Sequence, residues 1–399
     1  MRRFLVLRVP LIMTEVIPMI ELQDIFKRFG AEYQSTHSLS IDQQKAVNAI
    51  LRCRTSSLGG HIDVCDSCGS YRISYNSCRN RNCPKCGNLK KEQWILDRKA
   101  EILPIPYFHT VFTVPDDLNP LFRSNEALMH SLLFKAASQT LSALTLDKKY
   151  LGAQIGVIMV LHTWGQNLCF HPHVHCIVPG GGLSPSGLSF IQSRKKFFIP
   201  VKVLSRVFRG KFLALLKQSF LAGDIIFYGN SSQNTKDSFY DVVDSLYKKE
   251  WVVYCKKPFK QSTDIVEYLS RYTHKTAVYN NRLISMDDST VSFKWRDYRD
   301  GNKVKIMSLD AMEFIRRFLM HVLPSGFQKI RYYGLLSNRN RTSKLITCFK
   351  LLKTPILKRV RLTAHELLLK VKGVDITVCP HCGDHWILHR SLLPPSLSG

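Results

Sequence analysis

The chain has 399 residues, 45% of them hydrophobic, and its 57 Lys and Arg against 30 Asp and Glu give a net charge of +27. Length and apolar content exclude a disordered tail or a minimal single-core module and leave room for two or three domains. The basic excess points to a polyanionic partner, most simply nucleic acid, and no stretch reaches the roughly 18 apolar residues that a membrane span needs.

The opening MRRFLVLRVPLIM begins like a signal peptide, but Arg8 and Pro10 interrupt it and no small-residue cleavage site follows. It reads as a tail or an over-extended start, with Met13 an alternative initiator. Residues 14–52 read as helical, with Leu22, Ile25, Phe26 and Phe29 on one face and a second segment from Ile41 to Leu51. The 12 cysteines are spaced for metal rather than for disulfides, which favours a reducing compartment. Cys65, Cys68, Cys83 and Cys86 form C-x2-C-x14-C-x2-C, two knuckles that would complete a tetrahedral four-thiolate zinc site. Cys53, His61 and Cys78 are left over as alternative ligands, parts of a second metal site, or buried small residues. Arg79, Arg81, Lys85, Lys90 and Lys91 make the second knuckle a basic knob suited either to DNA or to a solvated face.

A helix over 88–102 ends at Pro104 and Pro106, and a strand follows from Tyr107 to Val114, in which His109 reads as structural. Residues 120–146 read as one or two helices. The run from Gly156 to Gly165 and the segment Phe170 to Gly182 (FHPHVHCIVPGGG) read as a hairpin. In a strand, residues two apart share a face. His173 and His175 therefore project together, with Val174 and Cys176 turned to a core, and such an imidazole pair suits a divalent metal. Antiparallel pairing brings His162 roughly opposite as a third ligand, with Gln166 in the loop as the competitor. The order of strand, helix, strand and strand suits an α+β fold with a central antiparallel sheet and helices on one face.

Residues 194–260 carry a basic amphipathic helix, and Trp251 to Cys255 reads as a strand. In the segment Gln261 to Tyr272, a helix starting near Asp264 places Tyr268 and Tyr272 one turn apart, either as packing aromatics or as two nucleophiles for a phosphodiester. Residues 276–308 read as a β-meander, followed by a helix from Asp310 to Val322. The segment Arg331 to Arg341 mixes aromatics with arginines that could stack bases and hold phosphates. Near the end, Cys379, Cys382, His385 and His389 have zinc-ligand identities over a short loop.

These pieces resemble the rolling-circle transposases of bacterial insertion sequences, in the HUH endonuclease superfamily. The resemblance is carried by RTSSLGGH (54–61), ISYNSCRNRNCPKC (73–86), PYFHTVFT (106–113), LHTWGQNL (161–168), HPHVHCIVPGGG (171–182), YLSRY (268–272) and HVLPSGFQKIRYYG (321–334). It departs from the family pattern at Asn82, where His is common. It implies a helical and zinc-binding N-terminal domain (1–100), an HUH catalytic domain (101–308, nucleophile helix 264–274) and a basic C-terminal region (309–399). It assigns metal binding to His173 and His175, and nucleophilic attack to Tyr268 and Tyr272. The implied chemistry is Mg2+- or Mn2+-dependent cleavage of single-stranded or hairpin element ends through a 5′-phosphotyrosine, with structural Zn2+. Without a G-x4-G-K-[ST] phosphate loop in the sequence, strand opening falls to a host helicase. The expected location is the bacterial cytoplasm, at the nucleoid. A zinc-containing regulator without catalysis, or a nuclease using metal-activated water, would account for fewer of these features.

Overall fold

The computed structural model describes residues 20–395 except 194–198, 228–235, 257–264, 267, 269–272, 274, 299 and 374. Its strands, in chain order, are β1 (Gly60–Cys65), β2 (Tyr71–Tyr75), β3 (Tyr107–Thr113), β4 (Gly156–Trp164), β5 (Phe170–Pro179), β6 (Gly181–Leu183), β7 (Phe190–Gln192), β8 (Val253–Lys256), β9 (Leu283–Met286), β10 (Thr290–Asp297), β11 (Lys303–Asp310), β12 (Ile330–Gly334) and β13 (Trp386–Leu392). The fold is α+β.

The central sheet has the order β12-β4-β5-β3-β8, and every neighbouring pair is antiparallel. Alternation along its strands separates two faces. Phe108, Phe112, Val157, Met159, Leu161, Val174, Cys176 and Val178 turn to one side and join the main core. The helices Glu126–Leu146 and Val201–Leu221 cover that side with Leu133, Phe134, Phe208 and Phe212. The former helix is so thoroughly buried that it shows little one-sided patterning, as expected of a helix enclosed on most sides. The residues in between, Ile158, Ile177 and Tyr107, face the opposite side, where Ile265, Val266 and Leu335 pack on them. The histidines share this second face.

A second core joins distant parts of the chain. Helices Leu22–Thr36 and Ile41–Arg52 pack Leu22, Ile25, Phe26, Val47 and Ile50 against the β9-β10-β11 meander and the helix Ala311–Leu319. The latter helix buries Ala311, Phe314, Ile315, Phe318 and Leu319, an unbroken apolar stripe at helical spacing. Its N-terminus is capped by Asp310, which accepts from Met312 N at 2.9 Å and Glu313 N at 3.2 Å.

The expected domain divisions at 100/101 and 308/309 do not follow these units. β12 lies beyond residue 308 yet pairs with β4, from Ile330 opposite Val160 to Gly334 opposite Gly156. β13, near the end of the chain, pairs with β1 near its beginning. Long-range strand pairing of this kind leaves no periodic mark in the sequence. Among the described residues, no helix is long and apolar enough to cross a membrane.

Candidate active site and metal centres

The β4–β5 register places His162 opposite His173 and Val160 opposite His175. Cross-strand partners share a face, so the three imidazoles meet. Their ligand atoms lie within 4.8 Å of one another, with ring centroids 4.7 Å apart for His162 and His175 and 4.9 Å for His173 and His175. Gln166, the competing third position, instead donates its amide to the Tyr298 hydroxyl at 3.0 Å. Burial pushes His173 down to about 4 and His175 well below the ordinary imidazole range, with neighbouring positive groups adding to the effect. These rings are neutral at pH 7, the form that ligates a cation. His173 Nδ1 lies 2.7 Å from the His171 carbonyl oxygen, so the Nδ1 hydrogen is donated there and Nε2 is left as the ligand atom.

The structure adds a fourth imidazole, His109, whose sequence context suggests only a structural role. On β3, His109 pairs with Ile177 and so stands on the same face as His175. His109 Nε2 is 2.9 Å from His175 Nδ1, and the Tyr268 hydroxyl is 3.2 Å from His109 Nδ1. The Tyr268 phenol, itself under the Lys256 ammonium at 5.2 Å from the ring centre, is thereby connected to the imidazole cluster. The other expected nucleophile, Tyr272, lies outside the described residues, as do Asp264 and most of the 264–274 segment.

Beyond His162 the site opens towards positive charge. Trp164 stacks on His162 at 4.7 Å, and the Lys329 ammonium sits over the Trp164 ring at 4.7 Å. Lys329 donates to the Lys275 carbonyl at 2.7 Å. Burial lowers Lys275 to about 8 and Lys329 to about 7. These two lysines, Trp164, Arg79 and Lys90 line a cavity of about 350 Å³ between the central sheet and the cysteine-rich loop. A basic cavity beside a metal-ligand cluster can hold a phosphodiester.

The expected zinc quartet is not formed as expected. Cys83 and Cys86 join Cys53 and Cys78, whereas Cys65 and Cys68 join Cys379 and Cys382. The reason is the β1–β2 hairpin. Its register, Gly60 with Tyr75 through Val64 with Tyr71, leaves Cys65 and Cys68 at the turn and Cys53 and Cys78 at the open base. Five residues of strand separate the two ends by about 17 Å, far beyond the reach of one metal. In the first cluster, Cys53 and Cys78 both stand 3.6 Å from Cys86 Sγ. The contacts with Cys78 and Cys83, and to a lesser extent that with Cys53, hold the Cys86 thiol far below the ordinary thiol range. His61 is not in either cluster; it faces Asp63 at 3.5 Å. His385 and His389 are likewise absent from both.

The basic residues around this loop are also used structurally. Arg81 donates to the carbonyls of Phe327 (2.7 Å), Leu323 (3.3 Å) and Pro324 (2.6 Å), and Lys85 is paired with Glu21 and bonded to Gln23. Gln23 in turn donates to the carbonyls of Ile50, Leu51 and Cys53, satisfying the end of the helix that delivers Cys53. The cysteine loop is therefore riveted to the segment that leads into β12. Of the aromatics expected to stack bases, Tyr332 is half-buried, accepting from Trp94 at 3.0 Å between Arg98 and Arg341.

Two family models match the chain: "Transposase zinc-binding domain" over residues 25–114 and "Putative transposase" over residues 156–344. The first takes in the Cys53 cluster and the second the His162, His173 and His175 cluster. The chain is 46% identical to "Putative transposase y4qJ" of Sinorhizobium fredii (strain NBRC 101917 / NGR234), over 91% of this chain and 92% of that protein. It is 29% identical to the "Transposase for insertion sequence element IS801" of Pseudomonas savastanoi pv. phaseolicola, over 74% of this chain and 70% of the relative. No solved structure matches. With its cysteine-rich N-terminal domain and its histidine-bearing sheet, the chain belongs to the rolling-circle insertion-sequence transposases of the IS91 and IS801 type.

Proposed function

We propose that this transposase cuts one DNA strand at the ends of its insertion sequence by attack of Tyr268, and transfers that strand through a 5′-phosphotyrosine in rolling-circle transposition. The observation that carries the reading is the chain of contacts from the Tyr268 hydroxyl through His109 to His175. A reactive phenol is thereby held beside a ready-made cation site.

His162, His173 and His175 would hold the cation, and their convergent nitrogens fit one. A Mg2+ or Mn2+ ion there would supply charge stabilisation and orientation to the scissile phosphate. The protein's own part is proton placement. If His175 uses Nε2 as its ligand atom, its Nδ1 hydrogen is donated to His109 Nε2, and a neutral His109 then carries its hydrogen on Nδ1, facing the Tyr268 oxygen. A phenol ordinarily ionises near pH 10, so a donor aimed at the developing phenolate lowers the cost of attack. The phenol gives its proton to solvent, the Tyr268 oxygen forms a bond to phosphorus, the bond from phosphorus to the 3′-oxygen breaks, and that oxygen takes a proton from water and leaves as a 3′-hydroxyl. Lys275 and Lys329, beside the site, suit the strand's phosphates.

One ester replaces another, so no nucleotide is consumed. Separation of the strands falls to a host helicase, and the substrate is single-stranded or hairpin DNA at the bacterial nucleoid. Cys53, Cys78, Cys83 and Cys86 would hold a structural Zn2+, which would stiffen the loop that walls the basic cavity.

The test is incubation of the full chain with labelled single-stranded element-end DNA and Mn2+, followed by a denaturing gel. Wild type is run beside Tyr268→Phe, Tyr272→Phe and the double variant. A covalent adduct lost in Tyr268→Phe supports the reading. Cleavage without an adduct would replace it with metal-activated water, and an adduct that survives Tyr268→Phe but not Tyr272→Phe would transfer the role to Tyr272.

A further inference from the structure

We infer that Cys65, Cys68, Cys379 and Cys382 form a second zinc site, one that fastens the C-terminal end of the chain to the N-terminal domain. The two halves are built alike. Cys65-Asp66-Ser67-Cys68-Gly69 and Cys379-Pro380-His381-Cys382-Gly383 are both C-x2-C-G. In each, the glycine takes a left-handed conformation (φ 67° and 81°) and donates its N–H to the carbonyl of the first cysteine at 2.9 Å. This turn aims two thiols at one point and favours glycine at its end.

Each knuckle is then followed by a strand laid against β1. β2 pairs along one edge, Val64 opposite Tyr71, and β13 along the other, Cys65 opposite Trp386 and Gly60 opposite Leu392. The result is a three-stranded ribbon, β13-β1-β2, with the four sulfurs gathered at one end.

The spacing fits a metal and not a disulfide. Cys65 Sγ is 3.4 Å from Cys382 Sγ, and Cys68 Sγ is 3.7 Å from Cys379 Sγ. Four sulfurs placed tetrahedrally at 2.3 Å from a zinc ion stand about 3.8 Å apart, whereas a disulfide requires about 2.05 Å. All four thiols are free, Cys65 and Cys379 buried and Cys68 and Cys382 exposed. Around them, Arg72 ties the strands together. It donates to Asp63 at 2.8 Å and to the Ile376 carbonyl at 2.7 Å, and it lies over the Trp386 ring at 4.8 Å. Ser67 of one knuckle is hydrogen-bonded to Asp384 beside the other.

The site closes a long circuit. From the helix Arg341–Leu351 the chain runs back along the helix Asn88–Lys99 and its C-terminal turn. Arg359 meets Glu101 at 2.7 Å, and the Val360 carbonyl accepts from Gln93 at 2.8 Å. Helix Ala364–Lys372 then packs on the same helix before the second knuckle begins. These are polar, partly exposed contacts, each worth little alone. A metal at the end of the path keeps the whole basic segment docked.

The experiment is metal analysis of the purified full chain by mass spectrometry, with free thiols counted in parallel under non-reducing conditions. The variants are Cys379→Ser with Cys382→Ser, Cys65→Ser with Cys68→Ser, all four together, and Cys382→His. Each double variant is expected to lose one zinc per chain relative to wild type, and the quadruple variant to lose the same one and no more. Cys382→His keeps the ion, because imidazole is also a zinc ligand. Limited proteolysis of the Cys379→Ser, Cys382→Ser protein is expected to cut between residues 352 and 378 at least tenfold faster, while the Cys53 cluster retains its zinc. Unchanged zinc in the Cys379→Ser, Cys382→Ser protein would overturn the inference. So would additive loss of two ions in the quadruple variant, or a wild-type thiol count showing these cysteines oxidised in pairs. Should Cys65→Ser with Cys68→Ser fail to fold, the C-terminal pair and Cys382→His still decide the matter.

Discussion

His109 Nε2 stands 2.9 Å from His175 Nδ1, across the strand boundary between β3 and β5, and the other nitrogen of His109 faces the Tyr268 hydroxyl at 3.2 Å. A single imidazole thus joins the expected nucleophile to the expected metal ligands. His109→Ala is expected to slow formation of the covalent adduct on the order of 100-fold, the scale of a lost proton-handling group, with DNA affinity unchanged. His109→Gln, which can still donate and accept, should recover part of the rate. Single-turnover adduct formation and fluorescence anisotropy separate the two effects. Equal rates in His109→Ala and wild type would leave His109 a packing residue.

The cation site makes a second prediction. It offers three imidazoles, and among the described residues no carboxylate joins them. Mg2+ prefers oxygen ligands in a strict octahedron, whereas imidazole suits transition-metal ions better. Cleavage is therefore expected to saturate at lower Mn2+ than Mg2+ concentration. His162→Ala, His173→Ala and His175→Ala should each raise the Mn2+ concentration needed by at least tenfold. A metal titration of the cleavage rate checks this, and identical titrations in the His162→Ala variant would remove that residue from the ligand set.

The Cys53 cluster supports both cores, because Gln23 and Lys85 tie it to the N-terminal helices and Arg81 ties it to residues 323–327. Cys53→Ser is expected to release zinc and lower the melting temperature by several degrees. It should also weaken DNA binding more than tenfold, through loosening of the basic cavity. Metal analysis, thermal melts and anisotropy on one preparation provide the check; retained zinc in Cys53→Ser would exclude Cys53 as a ligand.

What the sequence made legible was mostly local. The alternation of His173, Val174, His175 and Cys176, with a short loop to the preceding strand, was enough to bring His162 opposite, because a hairpin's register follows from its turn. The amphipathic stripe at Ala311–Leu319 and the meander before it were equally readable. His109 was not: its faces alternate with Phe108 and Thr110, but nothing local says that β3 lies beside β5 rather than elsewhere. The cysteines failed for the same reason. Nearest-in-sequence pairing of Cys65 and Cys68 with Cys83 and Cys86 is the natural choice until β13 is seen to return to β1, more than 300 residues away. C-x2-C-G occurs at 65–69, 83–87 and 379–383, so the repeat marked three knuckles but not which two of them pair.

Acid should destabilise the fold through buried imidazoles outside the metal-ligand cluster. Burial pushes His321 down to about 4 and His130 down to about 3, against an ordinary value near 6.5. Both have folded values below the unfolded one, so the unfolded chain binds more protons as pH falls. Their contribution is complete above pH 6.5 and is lost progressively down to those folded values. Glu126, one helical turn before His130, acts in the opposite sense. Burial raises it to about 7, so its cost is greatest at neutral pH and is relieved towards acid. Between pH 6.5 and 5 each histidine costs about 2 kcal/mol, at about 1.4 kcal/mol per pH unit, and Glu126 offsets roughly one of them. Urea unfolding of wild type and His130→Leu across this range isolates one group by difference. The variant is expected to lose about 2 kcal/mol less than wild type on acidification, while Glu126→Gln should lose more. Parallel curves for His130→Leu and wild type would mean that His130 already takes up its proton in the folded state.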